Sequence, residues 1–207
     1  MITKLALTEE PIHDLISRRW SLRAFDINKP VAREQIISIC EAGRWAPSCF
    51  GDEPWRFMVW DIYHDENAYM RAFNCIGEWN QRWVKTAPVI ITSFADDRFR
   101  LNGEPNRWAQ HDTGLATQNI LLQAFALGLA AHPLGGFDGD KIKKEFSIDE
   151  RFTAMACIAI GYQAGSDVLD DDHAKDELKP RLRRQLGTTF FDSYWENGII
   201  NANEENK

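Results

Sequence analysis

The stretch "RRWSLRAF", Arg18 to Phe25, puts three arginines into eight positions of a chain whose formal net charge is -7. In an extended segment successive side chains alternate, so Arg19, Ser21 and Arg23 project to one face and Trp20 and Leu22 to the other. Two guanidinium forks and a hydroxyl form a cradle for a phosphate or a polarised carbonyl, because arginine presents paired donors in a fixed plane. The same residues also suit a solvated arginine-rich turn, since exposure is arginine's commoner fate. A second basic patch, Lys179, Arg181, Arg183 and Arg184, follows the acidic run Asp170 to Asp172. Taken alone it reads as a solvated face; taken with the first patch, it points to one shared anion site.

Two loops carry chemistry of another kind. "APSCFGDEPWRF", Ala46 to Phe57, joins a helix to a strand through Pro47, Ser48 and Gly51, and such a loop sets backbone N–H groups and a hydroxyl against a flat ligand or forms a rigid turn without one. In "HPLGGFD", Pro133 and Leu134 lead into Gly135 and Gly136, where amides point outward with no Cβ in the way. An outward amide is a donor for a ring nitrogen. "DDDH", Asp170 to His173, has the donors for a hard cation but no second ligand cluster, so no metal is expected and His173→Ala should leave activity unchanged. Cys49 reads as a small buried hydrophobe, with no evident histidine partner in His111 or His132. The common nucleotide-binding, zinc-protease and hydrolase motifs are absent.

At 207 residues, with 44% hydrophobic, 12% aromatic and 27% charged residues, the composition is that of a globular protein read as one domain over residues 1–207. The acidic balance argues against a nucleic-acid coat or an anionic membrane surface as partner, so the basic cluster serves a small ligand. Four cysteines lie far apart without a C-x-x-C pair, and the N-terminus lacks the basic and apolar regions of a signal peptide, which predicts a cytoplasmic setting. The apolar stretch from Ile120 to Pro133 is too short to span a bilayer.

Elements must hold these residues in place. Spacing predicts a helix over Pro11 to Arg19 and another over Arg33 to Trp45, closed by Ala46-Pro47. Strands are expected at Trp55 to Trp60, Pro88 to Phe94 and Met155 to Tyr162, with one or two helices over Asn67 to Val84. Trp108 to Leu129 is the strongest helix, apolar nearly all round and so expected to be buried on several sides. "HPLGGFD" reads as loop, Asp140 as the cap of a short helix through Phe146, and the chain after Gly165 as polar. Three strands and about six helices suit a sheet covered on both faces. Phe190, Phe191, Tyr194 and Trp195 form an aromatic group that packs either on a partner subunit or on its own core. Residues 198 to 207 read as frayed.

These segments, with "NQRWVKTAPVII", "HDTGLATQNILLQAFALGLAAHPLGGFD" and "AIGYQAG", follow an order that resembles the FMN-dependent nitroreductase family from about Ile12 to Leu186. The resemblance implies an α+β protein, a three-layer α-β-α sandwich whose mixed, mostly antiparallel sheet is flanked by helices. It implies a homodimer with FMN at the subunit interface and a C-terminal extension, about 187–207, packed on the partner. By the same resemblance Arg19, Ser21 and Arg23 bind the FMN phosphate and pyrimidine end, and Arg183 and Arg184, with Arg181, bind the phosphate. Pro47 and Ser48 match the loop on the flavin, and Asn80 matches an amide near the pyrimidine edge. Pro133, Leu134, Gly135 and Gly136 match the segment beneath the ring, where the Gly135 amide donates to flavin N5. The implied activity is reduction of a small electron-poor acceptor, a nitroaromatic or quinone, with NAD(P)H as donor and no catalytic side chain. Relatives with other reductive or flavin-modifying reactions, and a non-catalytic FMN-binding protein, are the alternatives. Gly51, Asp52 and Glu53 replace the amides that many members carry, and a carboxylate beside the flavin would disfavour its anionic reduced form. Trp20 stands where others often have a smaller or polar residue and is expected to narrow the pocket.

Overall fold

A computed structural model describes residues 2–199. The chain runs α1 (Asp14–Arg18), α2 (Arg33–Arg44), β1 (Trp55–Asp61), α3 (Glu66–Phe73), α4 (Glu78–Val84), β2 (Val89–Asp96), α5 (Ala109–Ala126), β3 (Ala130–Leu134), α6 (Gly139–Glu145), β4 (Phe152–Gly161) and α7 (Asp171–Leu178). The four strands form one sheet in the order β1-β2-β4-β3, every pairing antiparallel.

Side chains of the two central strands alternate between two cores, as the period of a strand requires. Ile90 and Phe94 of β2 and Cys157 and Ala159 of β4 join Tyr69 and Ala72 of α3, Trp83 and Val84 of α4 and Ile142 of α6. Val89, Ile91, Ile158 and Ile160 face the other way, onto Ile36 and Ile39 of α2 and Ile120, Leu121 and Ala124 of α5. Helices therefore cover both faces, and the three-layer α+β sandwich is present.

Several boundaries and two assignments differ from the sequence reading. Pro133 sits inside a strand, β3, which pairs with β4 through Pro133↔Ile158. Proline is tolerated there because β3 is an edge strand and one N–H can be spared. Helix α6 is capped by Asp138, whose carboxylate accepts the Lys141 N–H at 2.8 Å; Asp140 lies in its first turn instead. Helix α1 begins only at Asp14, with His13 as the cap that accepts from the Leu15 N–H. Helix α5 is not buried all round. A stripe of Ala109, Asp112, Thr113, Ala116, Ile120 and Ala124 faces inward, and its small residues let it lie close to α2 and the sheet. Helix α7 lies in the polar region where only loop was expected, because its two buried residues are His173 and Glu177. The frayed end expected beyond residue 199 lies outside the described residues.

Candidate functional site

The Arg19–Phe25 segment is extended and sewn onto the end of β4. Asp26 N–H donates to Tyr162 O, Ala164 N–H donates to Ala24 O, both at 2.9 Å, and Phe25 bridges Gln163. Leu22 and Ala24 are buried while Ser21 and Arg23 are half-buried, so the alternation read from the sequence holds from Ser21 to Ala24, whereas Trp20 is half-buried like Arg19 and shares its cavity. Glu177 of α7 clamps the segment from behind. Its fully buried carboxylate accepts the Arg23 N–H at 3.0 Å and the Ala24 N–H at 3.2 Å.

Arg19, Trp20, Ser21 and Arg23 line a cavity of about 210 Å³ together with Lys4, Lys179, Arg181 and Arg183 from the two ends of the chain. The cations crowd one another. Burial, then Arg181 and Arg183, pushes the Arg19 guanidinium below its ordinary value, and burial and Arg183 do the same to Arg181. Lys4 is lowered chiefly by burial, against the pull of Glu177. Some of this charge has partners. Arg181 donates to Lys4 O and Ser17 O, each at 2.9 Å, strapping the N-terminal arm, and Lys179 pairs with Asp176 at 2.6 Å. Arg19 Nη1 does not: it is buried and meets no hydrogen-bond acceptor among the described residues. A buried donor left unsatisfied costs about 1–3 kcal/mol and more when charged. The arrangement therefore fits an anion, and a phosphate oxygen matches it in charge and donor geometry.

The remaining sequence candidates fall into three places. Arg184 lines the neighbouring cavity of about 920 Å³ with Leu186 and Phe190 rather than the cradle, and Arg183 borders both. Asn80 meets the glycine pair: its side-chain amide donates to Gly136 O at 3.2 Å, and Gly77 N–H donates to the same oxygen at 2.9 Å. A Cβ on Gly136 would collide with the Asn80 amide, whereas one on Gly135 would meet nothing within 4 Å. The turn's bond to Phe137 N–H uses the Gly135 carbonyl, not its N–H. Behind the cradle His132 stacks on Trp83 at 4.5 Å with Nδ1 2.8 Å from Leu22 O, and burial lowers its pKa to about 4. It is neutral at physiological pH.

Pro47 and Ser48 line none of these cavities within the single chain. Ser48 Oγ accepts the Glu53 N–H at 3.1 Å, and the Asp112 carboxylate accepts the Cys49 N–H at 2.8 Å while facing His111 Nδ1 at 2.9 Å. Asp52, expected near the ligand, is buried and accepts from Arg100 N–H and the Asn106 amide. Asp170 caps α7 and contacts His173 Nδ1 at 2.9 Å, and Arg82 binds it and Asp172, so the "DDDH" carboxylates serve the helix. Glu177, Lys4 and Asp112 went unnoticed in the sequence. Each acts on a residue at least 63 positions away or from a terminal arm, and no local pattern marks them.

Comparison with known proteins bears directly on this geometry. The model of the Nitroreductase family matches residues 16–162, a span that holds the arginine segment, the Ser48 loop, Asn80 and the glycine pair. The chain belongs to the Nitroreductase family. Arg181 to Arg184 lie beyond the matched span. The "Putative NADH dehydrogenase/NAD(P)H nitroreductase" of Methanothermobacter thermautotrophicus is 32% identical over 77% of this chain and 83% of its own length. A "Putative NAD(P)H nitroreductase" of Staphylococcus haemolyticus is 27% identical over 85% and 94%. A solved structure described as "the oxidoreductase containing FMN" superposes with a TM-score of 0.85 at 31% identity, over 91% of this chain and 95% of that one. Among the described residues no helix is long and apolar enough to cross a membrane.

Proposed function

We propose that this Nitroreductase-family chain is an FMN-dependent oxidoreductase that draws electrons from NAD(P)H and delivers them to a small electron-poor acceptor such as a nitroaromatic or a quinone. The observation that carries the cofactor assignment is the buried, partnerless Arg19 Nη1 in a cradle of six further cationic or hydroxyl side chains. FMN, the group carried by the solved relative, brings a phosphate to such a cradle and, when bound, supplies the redox chemistry.

The chain's own residues then hold and orient. Arg19, Ser21 and Arg23 grip the phosphate, with Arg183 closing the cradle and Arg181 holding the arm that carries Lys4. Glu177 keeps the segment extended by accepting two consecutive backbone N–H groups. Asn80 fixes the Gly135–Gly136 turn, leaving the exposed Gly135 N–H as a donor for a ring nitrogen. A cradle of about 210 Å³ lies below the roughly 300–1,000 Å³ of a whole small-ligand site, so it takes one end of the cofactor. The rest needs a second surface, and a homodimer bringing in the partner's Pro47–Ser48 loop supplies one.

Visible absorbance of the purified protein before and after adding NADH or NADPH without oxygen tests this reading. A yellow protein that bleaches, then recovers its colour with a quinone or nitroaromatic, is the expected result. A protein that stays colourless after incubation with FMN overturns the cofactor assignment, and a yellow one that nicotinamide never bleaches overturns the reductase.

A further inference from the structure

The N-terminal arm, residues 2–7, forms no helix or strand and precedes residues 16–162, the span matched to the family, yet hydrogen bonds from three directions fix its path. Gln163 Nε2 donates to Ile2 O at 3.0 Å, Arg181 Nη1 to Lys4 O at 2.9 Å and Ala6 N–H to Ser17 O at 2.8 Å. Ile2, Lys4 and Ala6 are half-buried while Thr3, Leu5 and Leu7 are exposed, the alternation of an extended chain with one face turned inward.

Of the three inward side chains, Lys4 is the one that lines the cationic cradle. Its ammonium donates to Lys179 O at 2.7 Å and lies over the Trp20 ring, 4.3 Å from the centroid. An ammonium carries three N–H donors, so one carbonyl and one aromatic face leave donor capacity toward the cavity that Lys4 shares with Arg19, Ser21, Arg23 and Arg183. Burial opposes the charge on Lys4, Glu177 favours it, and Arg23 and Arg181 oppose it again. A dianion in the cradle relieves that crowding.

We propose that Lys4 is a phosphate-binding residue supplied by this chain's own arm from outside the family span, and that the arm is a strap fastened by the phosphate of the cofactor and not by its ring. The inference rests on the FMN reading and adds a specificity-determining residue to it. Riboflavin has the ring and ribityl chain of FMN without the phosphate, so a charge-assisted bond from Lys4 strengthens FMN binding alone. An arm that only shaped the wall of the cavity would act on both flavins alike.

The test is fluorescence titration of flavin-stripped, full-length protein with FMN and with riboflavin. The parent protein should prefer FMN. Lys4→Met, which keeps an unbranched stem and removes the charge, should weaken FMN about tenfold or more and leave riboflavin unchanged, and Lys4→Arg should recover most of the loss. In the parent protein saturating FMN should slow trypsin cleavage after Lys4, followed by mass spectrometry, more than saturating riboflavin does. Unchanged FMN affinity in Lys4→Met, an equal loss for both flavins, or equal protection of Lys4 by both overturns the proposal and leaves the cofactor assignment standing. A parent protein that binds neither flavin, or both equally, overturns the phosphate cradle itself and the strap with it.

Discussion

A single nitrogen atom, Arg19 Nη1, concentrates the functional reading, because its burial without an acceptor is a cost that a bound anion removes. Arg19→Ala should weaken FMN about tenfold or more, equivalent to the 1.5–3 kcal/mol of a charged hydrogen bond, when the flavin is titrated into stripped protein. Arg183→Ala should act in the same direction. Arg184→Ala should act less, since that side chain lines the adjacent cavity. His132 makes a separate prediction. Its folded pKa, about 4, lies below the ordinary 6.5, so between those values the unfolded chain binds the extra proton and stability falls as pH falls. The thermal midpoint should therefore drop on acidification from pH 6.5 to 4, and His132→Phe, which keeps a ring on Trp83, should flatten that slope. A midpoint with the same slope in both proteins refutes the assignment. Asp170, held down to about 2 by the His173 N–H first and then by that ring and Arg82, loses its contribution only below the ordinary carboxylate range, outside this window.

Helix α7 shows best what a sequence hides. Strands β1, β2 and β4 and helices α2 and α5 announce themselves through β-branched runs and apolar spacing, because their buried faces are mostly apolar. The buried face of α7 is a histidine and a glutamate, so hydrophobic patterning reports a solvated segment. Alternation alone left the arginine segment open between an anion cradle and a solvated turn, and its clamp, Glu177, was hidden altogether, since nothing local ties it to Arg23. His173 carries the correction furthest. Read from the sequence as part of a polar stretch, it is fully buried against Trp79, with their rings 4.6 Å apart. His173→Ala should lower stability by about 2 kcal/mol or more, by analogy with other large-to-small core changes, read as a shifted denaturation midpoint. An unchanged midpoint would refute this packing role for His173.

For the molecule as a whole, we expect the aromatic C-terminal segment to decide assembly. Tyr194 and Trp195 are 78% and 82% exposed, and Phe191 packs on Trp195 at 4.9 Å, so this aromatic group covers little of its own core. We expect a dimer in gel filtration, and a chain ended after Leu186 should shift toward monomer and retain less FMN. A monomeric full-length protein that holds FMN as well as a dimer would refute the shared site.

The cradle is also the part of the molecule assembled from its most distant pieces. Lys4 Nζ donates to Lys179 O, Arg181 donates to Lys4 O, Gln163 donates to Ile2 O and Glu177 accepts from Arg23, pairs separated by 175, 177, 161 and 154 residues. Contacts that long are the last to be rewarded as a chain folds, because loop closure must come first. During synthesis from the N-terminus, the sheet strands are all available before α7 and Arg181 emerge, yet the proposed phosphate cradle is not. A chain ended just short of residue 171 would therefore carry all four sheet strands but lack Arg181 and Arg183 of the proposed cradle, and cofactor capture would mark the moment at which the two chain ends meet.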